Sequence, residues 1–331
     1  ASKVFVLTPN TYNNKIPSGT TYSIKVSSVI KDYYEKTMDA DKTSSFTTST
    51  RCSSGCTWSQ VSSVGNLTGR SGHSGLIFNK KMWTFGGYDN NTDYFNDVMS
   101  SPDASSSSSG KWDNLSTTSD SIWSKRNEHV TLNFKGKMWL IGGKNASSNL
   151  SDVWSSSTGL AWNNHNLTGN PPSSRSGHEG AVFKGKMWIL GGQSGSSFVN
   201  DVYSTSDGEA WTKEDNASWS GRSGHAAVVY DSKLWVMGGN DNSSDLKDVW
   251  SSSDGTSWTQ HSSTVSWDGM KDHSARVFDG KIWILGGNDG GTRLKKYYTF
   301  DGTTWSSAII PSWSQRSNFV SYDFDNYLWV L

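Results

Sequence analysis

Five histidines, His73, His129, His178, His225 and His273, recur at one position of a repeated pattern, and five arginines, Arg70, Arg126, Arg175, Arg222 and Arg316, recur at another. Convergent guanidinium groups suit carboxylates and imidazoles bind metals, so gathered rings of these side chains could hold an anion or a metal. The competing reading is that a residue repeated in every unit serves the unit, each His and Arg bonding backbone in a neighbouring turn. Catalytic sites usually break the symmetry of a repeat, which favours this second reading.

Four tryptophans, Trp123, Trp219, Trp267 and Trp313, each stand three residues before the Arg position, on loops. Exposed beside Arg, they would form a stacking platform for sugar rings or a partner's side chains, and these Trp and Arg residues are the candidate ligand-binding set. The alternative is that they seal gaps between neighbouring units, since Trp is usually highly buried. Cys52 and Cys56, in CSSGC, have no nearby His pair and cannot make a zinc site of ordinary ligand count. In an oxidising compartment they would close a short disulfide loop worth about 2 kcal/mol. A redox-active thiol pair is the other reading, against which stands the three-residue spacing between them. The loops YDNNTD and NDNSSD offer oxygen ligands to calcium, without a twelve-residue EF-type pattern; solvated turns explain them as well, and no other cofactor is expected.

Such residues need positioning, and the chain carries an obvious scaffold. A Trp preceding a Gly-Gly pair or its equivalent recurs at Trp83, Trp139, Trp188, Trp235, Trp283 and Trp329, spaced by 56, 49, 47, 48 and 46 residues. In phase with it run Trp58, Trp112, Trp162, Trp211, Trp258 and Trp305, each after a turn of the Asp-Gly kind. One such period per unit marks a propeller or an array. The fourth copy, Arg222 to Trp258, reads as four strands, HAAVVYD, KLWVMGG, KDVWSS and SWTQHS. In its second strand Trp235 and Met237 face one way and Leu234 and Val236 the other, so the sheet requires neighbours on both faces.

The halves of a further repeat sit at the ends. FTTSTRCSSGCTWSQVSS aligns with the second half of a copy and RSNFVSYDFDNYLWVL with the first half. Five complete repeats and two complementary halves predict six blades, with the ring closed by pairing residues 46–62 with 316–331. Of 331 residues only 33 % are hydrophobic and the mean hydropathy is −0.61, so 18 Trp must supply much of the core. Thirty basic and thirty acidic residues leave no net charge, and no footprint for nucleic acid is expected. No apolar run reaches the length of a membrane span.

The pattern R-x-x-H, W-x-x-G-G, D-V-W, D-G-x-x-W resembles the kelch repeat of six- and seven-bladed propellers, across residues 46–331. Met270 and Phe319 replace Arg and His in the fifth and sixth copies, and Lys296 replaces the Asp of the fifth. The resemblance implies that the first strand of each copy lines a central channel, which would place the Arg and His rings near one mouth. Residues 1–45 are outside the repeat. There PSGTTYSIKVSSVIKDYYEKTMDADKTSSFTT resembles the closing half of a bacterial Ig-like domain.

Half a sandwich leaves open edges and an apolar face, which predicts either a piece of a longer surface protein or strands completed by neighbouring copies in a filament. The expected function is therefore a non-catalytic binding or scaffold module, secreted or on a bacterial cell surface, with a protein or glycan ligand. The alternative is a carbohydrate-active enzyme of the same fold. A copper-radical oxidase needs a Cys cross-linked to Tyr, whereas both Cys here share one hairpin. A sialidase-like hydrolase needs an asymmetric Arg triad, a Tyr nucleophile and acidic partners, for which short repeats leave little loop length.

Overall fold

The computed structural model describes residues 21–26, 42–47, 67–89, 93–101, 112–116, 122–261, 267, 269–309, 314–325 and 327–331. The chain forms two compact units, residues 1–57 and 58–331. In the first unit β1 (Thr21–Val26) and β2 (Lys42–Thr47) pair antiparallel. Phe46 and Thr47 thus pair with Tyr22 and Thr21, where the repeat alignment assigned them to the closing blade. An Ig-like segment would need residues that lie largely outside the described ones.

The second unit is an all-β propeller, with no helix among the described residues. Its first blade is β3 (Ser74–Phe78), β4 (Lys81–Tyr88), β5 (Tyr94–Ser101) and β6 (Asp113–Asn114). The second is β7 (Val130–Phe134), β8 (Lys137–Ile141), β9 (Val153–Ser156) and β10 (Asn163–Asn164). The short β11 (Thr168–Gly169) then joins the third blade, which is β12 (Glu179–Phe183), β13 (Lys186–Ser194), β14 (Ser197–Thr205) and β15 (Ala210–Lys213). The fourth is β16 (Ala226–Tyr230), β17 (Lys233–Met237), β18 (Val249–Ser252) and β19 (Thr259–His261). In the fifth, β20 (Ser274–Phe278) and β21 (Lys281–Leu285) are followed by a small hairpin, β22 (Asn288–Asp289) and β23 (Thr292–Arg293), before β24 (Lys296–Phe300) and β25 (Trp305–Ile309).

Five four-stranded blades are therefore present among the described residues where the repeat count predicts six. At the sixth position stands a two-stranded hairpin, β26 (Ser321–Phe324) with β27 (Tyr327–Val330). The remaining residues assigned to complete it, 48–62, lie outside the described residues. The first strands nevertheless run round a closed circuit, β3, β7, β12, β16, β20, β26 and back to β3.

The core is divided among the interfaces between blades. Leu234 and Val236 pack with Trp188 and Leu190 of the third blade, while Trp235 and Met237 pack with Ile282 and Ile284 of the fifth. The second strand of the fourth blade is thus buried on both faces, as its alternation requires. The ladder residue is Trp because its ring does two things. The indole fills the interface, and its N–H donates to the carbonyl five residues earlier, at 3.0 Å in Trp83 and Trp188 and 2.9 Å in Trp235. That bond fixes the tight turn between first and second strands.

Candidate functional site

The first four arginines are each engaged within their own repeat. Arg126, Arg175 and Arg222 are at most 1 % exposed, and each makes a bidentate pair with the Asp that opens or enters the third strand of its own repeat. The bonds are 2.6 and 2.7 Å for Arg126 with Asp152, 2.6 and 3.0 Å for Arg175 with Asp201, and 2.7 and 2.7 Å for Arg222 with Asp248. Arg70 pairs likewise with Asp97. Each also donates to the carbonyl of the first glycine of the pair, as Arg222 does to Gly238 at 2.8 Å. Burial alone would raise the Asp152 carboxyl; the Arg126 bonds and charge, with the Trp154 N–H, outweigh it and hold it below the usual range. Arg316 is half-buried and bonds Ser314, and the fifth copy has lost both partners together, as Met270 and Lys296.

Nor is the Trp platform on the surface. Trp123, Trp219 and Trp267 are 0, 1 and 4 % exposed. Trp219 lies between the Arg222 guanidinium, 5.4 Å from its ring, and Trp258, edge-on at 5.9 Å; Trp123 is held in the same way between Arg126 and Trp162. Trp123 and Trp219 thereby cover their Arg–Asp pairs, while Trp267 packs with Met270 where that pair is missing. Trp313, Cys52 and Cys56 lie outside the described residues. In the NDNSSD loop the Asp241 carboxylate is engaged by its own turn, accepting the N–H groups of Ser243 and Ser244 at 2.9 and 2.8 Å.

The five histidines line the channel wall and are buried. Burial holds His73 and His178 at about 3 and His273 at about 4, with Arg70 and Arg175 adding to the effect for the first two. His129 and His225 lie well below the usual value for the same reason. They are neutral spacers at physiological pH. His129, His178, His225 and His273 each pack against the glycine pair of the preceding blade: a Cβ on Gly142 would lie 3.0 Å from His178, and one on Gly238 3.0 Å from His273.

What breaks the repeat is inside the channel, a cavity of about 570 Å³. At one mouth six turns are joined in a circle of main-chain hydrogen bonds of 2.7 to 3.0 Å, through Gly72, Glu128, Gly177, Gly224, Asp272 and Asn318. All six have left-handed backbone, with φ from 52° to 65°. Glycine suits this conformation and occupies three of the turns; Asp272 and Asn318 are of the types that tolerate it, and Glu128 is held there against its preference. Glu128 pairs with Lys144 at 2.8 Å. Burial, then the charge of Glu128, lifts Asp272 to about 6 against the pull of Lys271.

Deeper in the channel, Glu179 occupies a position that is Ser74, Val130, Ala226, Ser274 or Val320 elsewhere, and Arg276 one that is Leu76, Leu132, Ala181, Val228 or Tyr322. Arg276 donates from Nε to Ser321 O at 2.6 Å and from Nη1 to Ala275 O at 3.3 Å, while its Nη2 makes no bond among the described residues. Burial lifts Glu179 to about 7, opposed by the charge of Arg276 and the Gly180 N–H. The two feel each other across the lumen without an ion pair. Sequence reasoning passed over both, although aligning the copies on their histidines exposes them as the charged exceptions.

Residues 36–218 match the family model described as the KLHDC2/KLHL20/DRC7 Kelch-repeats domain, and residues 221–251 match the Kelch motif. The chain belongs to the kelch-repeat family. No curated protein sequence matches this kelch chain. Among solved structures 333 chains match; one titled "Structure of YjhT" is 17 % identical, with a TM-score of 0.65, covering 81 % of this chain and 92 % of its own. At that identity the likeness is one of fold.

Proposed function

We propose that this kelch propeller is a non-catalytic binding or scaffold module displayed outside a bacterial cell, taking a protein segment or a glycan at the mouth of its channel. The observation that supports it is the retention of Glu128, Asp272 and Asn318 in left-handed turns where the other repeats use glycine. A side chain kept against a backbone penalty of roughly 1 kcal/mol is kept for what it contacts. The test compares the native protein with a Glu128→Gly/Asp272→Gly variant on glycan and peptide arrays. The variant should melt at an equal or higher temperature and lose the native hits; unchanged hits would refute the reading.

Two structural proposals accompany it. The sixth blade is completed by residues 48–62 beside β26 and β27, and residues 1–45 engage neighbouring copies or further modules of a longer chain. Fibres seen by electron microscopy and lost on deleting residues 1–45 would support self-assembly; a monodisperse monomer would count against it. The enzymatic alternative draws on Glu179, whose value of about 7 is in the range suited to general acid–base work.

A further inference from the structure

The blades are not equivalent at their outer turns. In the second, third and fourth blades a hydroxyl at the end of the third strand, that of Ser156, Thr205 or Ser252, accepts the turn glycine's N–H at 2.8, 2.9 and 2.7 Å. So held, the glycine presses on the ladder Trp of the preceding blade. A Cβ on Gly159, Gly208 or Gly255 would lie within 2.2 to 2.4 Å of Trp83, Trp139 or Trp188. The fifth blade departs twice. Phe300 replaces the hydroxyl residue, and the turn from Phe300 to Trp305 is one residue shorter than that from Ser252 to Trp258.

The shortened turn folds on itself, with the Asp301 carboxylate accepting the N–H groups of Thr303 and Thr304 at 2.9 Å each. Phe300 covers Trp235, 5.4 Å away, and His261 stacks on Trp235 at 4.6 Å. Beside them remains a cavity of about 220 Å³, lined also by Asp231 and Lys233 of the turn between β16 and β17. Trp305 lines it and stays partly exposed, whereas Trp112, Trp162, Trp211 and Trp258 at the equivalent position are buried.

We propose that this pocket between the fourth and fifth blades binds one neutral hexopyranose ring, the terminal or side unit of a glycan. At about 30 Å³ per water, the space holds roughly seven waters, which is room for one such ring and little more. Its aromatic side is Trp305, which stacks on the buried Phe300 at 4.9 Å and stays partly exposed, and an indole suits the C–H face of a sugar. Its rim carries a carboxylate, an ammonium and a hydroxyl, from Asp231, Lys233 and Thr303. Neither Asp231 nor Lys233 makes an ion pair among the described residues. A cationic ligand would meet Lys233 and an anionic one Asp231, while a purely apolar ring would strip water from both without return. A neutral polyol satisfies each of them. His261, bonded to Ser251 at 2.8 Å and kept neutral by burial and by Lys233, adds no charge.

The site is independent of the channel, and its test is separate. Methyl glucoside, galactoside and mannoside are titrated into the whole chain by calorimetry, with phenol as an aromatic control. At least one glycoside should bind, near 1 mM. Asp231→Ala and Lys233→Ala, both at the rim, should weaken it roughly tenfold. Phe300→Ser with one Ser inserted before Asp301 rebuilds the turn of the fourth blade and should abolish binding while leaving the fold intact; Glu179→Gln, in the channel, should leave it unchanged. The proposal is overturned if no glycoside binds, if phenol alone binds, or if binding survives the rebuilt turn.

Discussion

A guanidinium buried in each of the first four repeats is tolerable only because a carboxylate comes with it. The fifth copy demonstrates the coupling, since Met270 is fully buried and Lys296 stands where its partner would be. Met270→Arg alone should cost about 3–5 kcal/mol, the penalty of an unpaired buried charge, and adding Lys296→Asp should recover most of it in urea unfolding. Asp248→Ala should cost a similar amount. The titrating residues act on stability in opposite directions. His73, His178 and His273, at 6.5 unfolded and about 3 or 4 folded, leave stability intact above pH 6.5 and erode it as pH falls, because only the unfolded chain takes up protons there. Glu179 is raised from 4.5 to about 7, so its contribution is full below 4.5 and lost as pH rises through 7. Glu179→Gln should therefore raise the melting temperature at pH 8, by an amount reflecting on the order of 2–3 kcal/mol, and change it little at pH 4.

Within one blade the turns hold the strands in register and also tie each blade to the next. Gly238 has φ of 58° and Gly239 of 97°, and the Gly239 N–H donates to Met270 O of the following blade at 2.8 Å. A Cβ on Gly238 would stand 2.7 Å from that same carbonyl. Gly238→Ala should cost at least about 2 kcal/mol, combining left-handed strain with displacement of the crossing strand. Ser252 acts at the other end, accepting the Asp254 and Gly255 N–H groups. Ser252→Ala should cost about 1 kcal/mol, measured by the same unfolding transition, because two turn donors lose their acceptor.

The whole molecule depends on closing its circle. Tyr322, in the last repeat, donates to Trp83 O in the first at 3.1 Å, and only a glycine fits opposite: a Cβ on Gly75 would lie 2.3 Å from the Tyr322 hydroxyl. Asn318 completes the ring of main-chain bonds at the mouth. Removing residues 316–331 would open that ring and expose β3 and the Met82, Met99 and Trp112 cluster beneath it. Size-exclusion chromatography should then show aggregates or a swapped oligomer, whereas a monomer of native stability would mean that closure contributes nothing.

The repeat period, the two-faced strands and the partition of Trp235 and Met237 from Leu234 and Val236 are legible in the sequence, because side-chain alternation and turn chemistry are local. The Arg, His and Trp rings were legible as repeats but not as to purpose. Whether Arg222 meets solvent or Asp248 depends on how a strand 26 residues away is brought beside it, and only packing decides that. The channel exceptions, Glu179 and Arg276, stand in the sequence as breaks in an alignment; that they share one lumen follows from blades three and five curving toward the same axis. Blade count shows the same division, since residue spacing predicts six repeats while the described strands form five full blades and a hairpin. Local pattern therefore determined what each repeat is, and tertiary closure decided which of its polar groups are consumed within the fold and which are left facing open space.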